Sequence, residues 1–583
     1  MANPAKPAVV EKIVIPHDAG IPAKPATSYR WVICGLLLFS TTINYMDRQV
    51  ISYLKEFFCT PSAQGGFGWS NTDFAFVTSF FTAFYAGMTI LAGWVIDKIG
   101  TKIGLALSLT IWSLFGILNA FAGGLVFTHV FIRSLFGIGE AGNFPASIKT
   151  VAEWFPKRER ALATGIFNSG SNLGAMVSAL LVPWCLGHYG AQHGWKMAYI
   201  ITGSAGLLWL VFWFWLYESP AKQKRLSQAE YDYIHSDKDE VQQAKTSAAT
   251  PKKATAGIFS FDGRISRATF WGMGAMILII CLFVWVIIAS MMRAGAKFEL
   301  PLQCFVGAAS LGAAWAFLAL QAKRWHDLDK SGSLVLLNLI PGVGTLVSIY
   351  ILGTRDGNSS PNRFGEADGP TLLGYRQTWA FFAGKFMTDG IWWFYLFWLP
   401  DYLKKQFGMT TQEVKMPTFI VYGVAIVGSI YGGKIPMTFM KRGMPVYQAR
   451  MMAMLLIAIF PLTVLSTQYF GDVARFGNAA SWLAISVICV GAAAHQAWSA
   501  NLFTTVSDMF PKKAVGSVTG IGAMAGGLDG VLVQLLAGNL TDVYVRTPQT
   551  AYMIMFVVCA LSYPIAWGLM KAFVPQHRAI TDL

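Results

Sequence analysis

Charge is scarce in this chain: 13% of its 583 residues are Asp, Glu, Lys or Arg, against 54% hydrophobic, and the mean hydropathy is +0.48. Soluble domains carry about 25% charged residues, so this composition excludes an ordinary water-solvated surface. Cysteine is scarce too. The seven cysteines, at 34, 59, 185, 281, 304, 489 and 559, form no close pair and no C-x-x-C. Neither a disulfide framework nor a cysteine metal site is indicated, and they read as small packing residues. No Walker loop, zinc spacing or nucleophile elbow occurs, which disfavours ATP-driven and hydrolytic chemistry. The expectation is a protein that is not an enzyme and needs no cofactor and no metal. Residues 1–29, rich in Pro and Ala, lack the apolar core and cleavage site of a secretory signal. They read as a disordered cytoplasmic tail.

Long apolar runs are abundant. A bilayer core about 30 Å thick requires a helix of roughly 20 apolar residues. Such runs fall at 31–53, 72–96, 103–122, 125–147, 161–183 and 197–217, and again at 378–402, 417–439, 449–467, 479–503, 514–537 and 550–573. The fold class is therefore an all-α membrane protein of twelve main spans, and the lipid bilayer is its solvent. The formal net charge of +15 does not mark a nucleic-acid partner, because the Lys and Arg sit mainly in short clusters between spans. Lys98 and Lys102, then Lys157, Arg158 and Arg160, then Lys441, Arg442 and Arg450, then Lys512 and Lys513 fall in alternate loops. The bias of positive charge toward the cytoplasm puts those loops and both termini inside, although Lys404, Lys405 and Lys415 lie on the other side.

The chain is also a duplication. EWFPKRERALATG at Glu153 to Gly165 returns as DMFPKKAVGSVTG at Asp508 to Gly520, 355 positions later, each copy opening an apolar span. Recurrence of an acid, an aromatic-proline step and a basic cluster before corresponding spans predicts two related helix bundles, the architecture of secondary transporters. GIGAMAGGLDG at Gly520 to Gly530 follows no strand and lies in a span, so its glycines read as close helix packing rather than a dinucleotide loop.

A block near 257–369 interrupts the duplication, with apolar stretches near 269–292, 302–321 and 333–353. LSQAEYDYI, before it, reads as a short surface helix. Both halves must begin on the same side, so the insertion must cross the membrane an even number of times; Pro341, Gly342 and Gly344 therefore predict a hairpin or re-entrant break in the third stretch. That reading puts Lys323, Arg324, Arg355 and Arg363 together on the cytoplasmic side. GRISRATFW at Gly263 to Trp271, KRWHDLDKSG at Lys323 to Gly332, IPGVG, and GTRDGNSSPNRFG at Gly353 to Gly365 resemble a small bacterial membrane family, domain of unknown function 805. That resemblance implies no activity. His326 and Asp327 beside Arg324 read either as a proton-handling or head-group site or as a polar cluster tying loops to helix ends. The domains are expected at 1–29 (tail), 30–218 (first six-helix bundle), 219–256 (cytoplasmic linker), 257–369 (inserted membrane domain between helices 6 and 7), 370–575 (second six-helix bundle) and 576–583 (tail).

Charge inside the spans carries the chemistry. Asp47 and Arg48 lie deep in the first span, Arg133 and Glu140 in the fourth, where an ionised group costs about 2.5 to 3.5 kcal/mol on insertion scales. Arg133 and Glu140, two turns apart, share a helix face, while Asp47 and Arg48 diverge by roughly 100°. A cavity between these helices could see two acids and two guanidiniums at once. Arg pairs a carboxylate through two parallel hydrogen bonds, and a buried acid beside Arg can exchange a proton as its access to water changes. These residues predict symport of an organic anion: Arg48, assisted by Arg133, binds it, while Asp47 and Glu140 take up protons. The same four charges could instead be ion pairs that only hold helices together.

Gly93-Trp-Val-Ile-Asp97-Lys98-Ile-Gly100-Thr101-Lys102 resembles the loop signature of the major facilitator superfamily, which implies a latch on one end state of alternating access. Thr101 stands where a basic residue is usual. INYMDRQVIS at Ile43 to Ser52, RSLFGIGEAGNFPASIK at Arg133 to Lys149 and the stretch from Glu153 are similar to the anion:cation symporter branch. KFMTDGIWWFYLFWLPDYL at Lys385 to Leu403 and HQAWSANLFTTVSDMFPKKAVGSVTG at His495 to Gly520 resemble the bacterial hexuronate transporters within it. The resemblance implies a twelve-helix major facilitator fold and protonatable roles for Asp47 and Glu140. It also implies substrate or coupling roles for Arg48 and Arg133, and a lining role for Asn501. Tyr45, Asn168, Asn172, Lys385, Trp392, Tyr395, Gln496 and Ser499 complete the expected polar and aromatic lining for a sugar acid such as galacturonate or glucuronate. The expected partners are that anionic substrate and protons, with sodium as the alternative ion, acting on a monomer in the bacterial inner membrane. Two other functions fit the same residues: import of another small carboxylate, and a membrane sensor or scaffold signalling through the insertion.

Overall fold

The computed structural model describes residues 27–236 and 259–580, apart from residues 70, 268, 275, 279–280, 282–284, 286–299, 341–342, 358–359, 366–371, 411–412, 545, 577 and 579. The expected N-terminal tail up to residue 26, most of the linker, and much of the insertion's first apolar stretch lie outside the described residues. Among the described residues the structure is helical, its extended pairing confined to one bridge between Asn362 and Gly365.

The first half consists of α1 (Tyr29–Cys59), α2 (Asn71–Ile99), α3 (Thr101–Leu118), α4 (Val126–Glu140), α5 (Asn143–Trp154), α6 (Lys157–Asn168), α7 (Gly170–Tyr189) and α8 (Ala191–Leu216). The fourth span is α4 with α5, broken just after Glu140 at Ala141-Gly142, and the fifth is α6 with α7, broken at Ser169. Glycine-rich sequence at both breaks supplies the bend. A seven-residue helix α9 (Gln228–Ile234) follows. It differs from the expected surface helix: Glu230 is buried and accepts from the backbone N–H of Tyr29 at 3.0 Å and from Arg30 Nη1 at 2.8 Å. A buried guanidinium needs a counter-charge, and Glu230 with Glu159 supplies it.

The insertion contributes α10 (Leu300–Asp327), an eight-residue 3-10 segment (Gly332–Leu339) and α11 (Val343–Thr354). At 1.5 Å per residue the 12 residues of α11 rise about 18 Å, well short of a bilayer core. The third apolar stretch is thus a 3-10 segment followed by a short helix, and Pro341 and Gly342, where the break is expected, lie outside the described residues. Arg324 donates to the carbonyls of Leu352 and Arg355 and pairs with Asp327, so Arg324 and Arg355 meet at one end of the block.

The second half consists of α12 (Arg376–Phe407), α13 (Lys415–Lys441), α14 (Val446–Ile459) with its 3-10 continuation to Ser466, α15 (Ala480–Met509), α16 (Val515–Val543) and α17 (Pro548–Phe573). Among the described residues nine helical stretches are long and apolar enough to cross a membrane by hydropathy. The first, fourth and seventh spans fall outside that nine, and they carry Asp47 and Arg48, Arg133 and Glu140, and Lys385 and Asp389. Leu125, Phe127 and Phe121 show 71–72% exposure on the outer face, as lipid contact requires.

The halves meet tightly at one end, on the side of Lys98, Lys157 and Lys512. Gly93 faces the backbone of Gly516 and Ser517, and Gly527 faces Ala86, which brings α2 onto α16. Ser429 Oγ on α13 donates to the carbonyl of Gly165 on α6 at 2.7 Å, and Arg160 Nη1 donates to that of Ser507 on α15 at 2.6 Å. Small residues permit this backbone approach, and the buried carbonyls receive side-chain donors.

Candidate functional site

At the centre of the bundle a narrow cavity lies between the halves. It is lined by Tyr45, Arg48, Tyr85, Phe144, Asn168 and Ser171 of the first half and Lys385, Asp389, Trp392, Trp393, His495, Gln496, Ser499 and Phe503 of the second, with Ala523, Gly526 and Gly527 as its floor. Its volume is about 60 Å³, room for roughly two waters.

Arg48 projects from α1 into an aromatic box. Its guanidinium carbon lies 4.7 Å from the Tyr45 ring, 4.5 Å from Tyr85 and 5.7 Å from Trp393 across the interface, geometry that favours a cation. Its counter-charge is Glu140, the last residue of α4: Nε and Nη2 both reach Oε2, at 2.9 and 2.8 Å. Arg133, two turns earlier, sits behind this pair over the rings of Phe81 and Phe136 and donates to the Arg48 carbonyl at 3.4 Å. The four expected charges are therefore not presented together. Arg48 alone lines the cavity; Glu140 is bound to it, and Asp47 turns to the other side of α1, beside Thr202 and Trp112. The 100° divergence of neighbouring helical residues, set against three packed helices, gives that outcome.

The second half answers with another caged cation. Lys385 Nζ lies 2.5 Å from Asp389 Oδ2, one turn along α12, and 4.0 Å from the Phe503 ring. Asp389 was not among the expected site residues; the K-x-x-x-D spacing in KFMTD is the signal that would have found it. Asp529, on α16, accepts the N–H of Gly390 at 2.5 Å. Trp392 stacks on His495 at 5.3 Å with 7° between the planes, and His495 Nδ1 meets the Tyr563 hydroxyl at 2.7 Å. Asn168 crosses the interface, donating to Gln496 Oε1 at 2.9 Å and Ser499 Oγ at 3.5 Å.

Seven expected lining residues, Tyr45, Arg48, Asn168, Lys385, Trp392, Gln496 and Ser499, do border the cavity. Four lie elsewhere. Asn501 donates instead to the carbonyls of Gly432 and Ala497, tying α15 to α13 where a glycine opens the backbone. Tyr395 is packed in the second-half core with its hydroxyl toward Gly491. Asn172 is buried in the first half, and Arg133 stands behind Arg48. In an all-helical bundle a polar residue one position off the lining face becomes helix-to-helix glue.

The loop signature is assembled at the closed end. Gly100 takes φ +86°, and Gly443, its second-half counterpart, φ +85°, the left-handed conformation that glycine adopts freely. Asp97 caps the start of α16: it accepts from Ser517 N at 2.7 Å, Ser517 Oγ at 2.6 Å and Gly516 N at 3.2 Å. Its cation is Lys149, at 2.9 Å. Lys98 and Lys102 look elsewhere, Lys98 over the Trp94 ring and Lys102 to Glu218 at 2.7 Å, a contact that holds the Glu218 carboxyl below its usual range.

In the insertion Asp327 joins two arginines: Arg264 Nη2 reaches Oδ1 at 2.9 Å and Arg324 pairs with Oδ2. His326 stacks on Phe364 and its Nδ1 meets the carbonyl of Gly263 at 3.0 Å. The Arg264 and His326 contacts tie loops to the end of α10, and the Arg324–Asp327 pair lies within that helix.

A family model described as Major Facilitator Superfamily matches residues 37–360. The "Hexuronate transporter" of Escherichia coli (strain K12) is 24% identical over 543 residues, 93% of this chain and 94% of the relative. The "Galacturonate transporter" of Dickeya chrysanthemi is 34% identical over 246 residues, 42% of this chain and 65% of the relative. The "D-galactonate transporter" of Escherichia coli O6:H1 is 22% identical over 552 residues, 94% and 98% of the two chains. Among solved structures, the proton:xylose symporter XylE bound to 6-bromo-6-deoxy-D-glucose superposes with a TM-score of 0.54 at 14% identity, covering 95% of this chain and 98% of that one. The human organic anion transporter MFSD10 (TETRAN) gives 0.52 at 11% identity, covering 94% and 100%. At such identities the structural likeness speaks for the fold.

Proposed function

This chain belongs to the major facilitator superfamily as a multi-pass membrane protein, and from that premise we propose that it imports hexuronates, galacturonate and glucuronate, by proton symport. The relatives' names support a sugar-acid transporter of this superfamily. The observation that carries the finer reading is the Arg48 guanidinium, at the cavity wall and caged by Glu140. A substrate carboxylate that docks on Arg48 must displace Glu140. Stripped of its cation inside a span, an ionised Glu140 would cost several kcal/mol, and a proton removes that cost. Binding of the anion and uptake of the proton are then linked through one salt bridge. Asp47, outside the cavity, is the second protonatable group. Lys385, Trp392, Gln496, Ser499 and Asn168 face the same space and supply donors, acceptors and a ring face for the sugar hydroxyls.

The cavity is too small for a sugar ring as it stands, so substrate entry requires the halves to part at the end away from Asp97. The basic loops and both termini lie in the cytoplasm of a bacterial cell, and the protein works as a monomer in the inner membrane. Labelled galacturonate supplied to proteoliposomes should accumulate only under an inward proton gradient, with glucuronate the strongest competitor against galactonate and succinate. Gradient-independent equilibration, or no uptake of any of the four, would overturn the reading.

A further inference from the structure

Behind the second-half wall of the central cavity stands a carboxyl that coupling through Glu140 leaves unused. Asp529 lies midway along α16, inside a membrane span, and is 8% exposed. Among the described residues its carboxyl has one hydrogen-bond partner, the Gly390 N–H, and no ion pair. The groups that face it give the reason. On α12 Lys385 commits its ammonium to Asp389 Oδ2 at 2.5 Å and rests on the Phe503 ring. On α17 the Cys559 thiol and the Tyr563 phenol bring no counter-charge. From α2 come Ala86, against Gly527, and Tyr85, near Asp389, which bring none either. Two carboxyls on facing helices thus share one ammonium. Each is seated on a glycine of the other helix: a side chain at Gly526 would overlap the Asp389 carboxyl, and one at Gly390 that of Asp529.

We propose that Asp529 carries a proton of its own through the transport cycle, besides the one taken up by Glu140; this rests on the symport reading above. An ionised carboxyl without a cation is costly in a span, and a proton removes the cost. Loading is from the cavity, whose wall at Asp389 and Gly526 lies one turn from Asp529. Release belongs to the gate. Asp529 sits on α16, the helix that Asp97 caps and α2 covers, and Gly527, two residues before it, packs against Ala86. When α2 parts from α16, water enters that seam. The O–H bond then breaks toward water on the basic-loop side, and hydration together with Lys385 stabilises the carboxylate that remains.

The test uses full-length protein in proteoliposomes at equal pH on both sides, with potassium and valinomycin setting the potential and labelled galacturonate as the probe. Asp529→Asn keeps an acceptor for the Gly390 N–H but holds no exchangeable proton. It should move one charge fewer with each galacturonate than the native chain does. One charge is worth roughly fifty-fold in accumulation per 100 mV, so the voltage response of the variant should fall by about that factor. Galacturonate exchange without any gradient reports its folding. Asp232→Asn, at an exposed position, should leave the voltage response as it is. Infrared spectra of the purified chain give a reading that needs no transport: the carbonyl stretch of protonated carboxyls, shifted by D2O, should lose one component in Asp529→Asn at neutral pH. An unchanged voltage response in Asp529→Asn, or an unchanged carboxyl band, would overturn the proposal. A native chain that moves no hexuronate under any gradient would defeat the symport reading instead, and the band then decides whether Asp529 holds a proton.

Discussion

Arg48 is where residue chemistry and transport meet. Glu140 gives it both short contacts from one oxygen, and a substrate carboxylate can offer two. Arg48→Ala should therefore abolish substrate binding, a loss of roughly 100-fold or more in affinity for a charge-assisted pair of about 3 kcal/mol, measured as galacturonate protection in a binding assay. Glu140→Gln keeps the shape and a weaker partner for Arg48 but holds no exchangeable proton. It should retain galacturonate counterflow while losing pH-driven accumulation. Normal accumulation in Glu140→Gln would remove Glu140 from the coupling scheme. Asp47, Arg48, Arg133 and Glu140 were legible in the sequence because charge inside a span is costly and therefore conspicuous. Which of them faces the cavity was not, since that depends on how α1 is rotated against α4 and α8.

At the scale of elements the decisive contact is α2 on α16. A Cβ at Gly93 would lie 2.8 Å from the carbonyl carbon of Gly516 and 3.1 Å from Cα of Ser517, and neither backbone atom can yield. Gly93→Val should wedge the two helices apart and strip Asp97 from Ser517, shifting the protein toward the state open at this end. A cysteine placed at Ser517 should then react with a membrane-impermeant maleimide from the basic-loop side at least tenfold faster in the Gly93→Val background than without it. Unchanged reactivity would show that α2 and α16 do not form the gate. The signature G-x-x-x-D could be read along the chain. The real cation of Asp97, Lys149, is 52 positions away and falls in place only when α5 packs beside α2. Asn501 shows the reverse: the sequence put an amide in the right helix, and a glycine on the neighbouring helix turned it into a strut.

At the scale of the whole molecule the insertion touches the moving parts. Met276 is buried with Phe382, Ile521, Met524, Ala525 and Leu528, and Ala83 and Ile90 of α2 pack on the same cluster. The insertion thus leans on both halves at the α2 and α16 seam. Removal of residues 257–369 with rejoining of the chain should preserve proton-driven uptake, because no described residue of the insertion borders the central cavity. It should lower the melting temperature by several degrees, since a buried Met and its contacts contribute about 2 to 5 kcal/mol. A folded deletion without uptake would assign the insertion a part in the transport cycle, as the sensor reading requires.

The sequence by itself determined the membrane class, the two related halves and the short list of intramembrane charges. Each of these follows from local chemistry: hydropathy, helix length and the cost of a charge in lipid. Only the tertiary structure decided that Arg48 and Lys385 are each caged by an acid, that Asp47 and Arg133 stand outside the cavity, and that Asp389 borders it. Those outcomes depend on the rotation of each helix about its axis, and that rotation is fixed by glycine contacts between helices far apart in the chain.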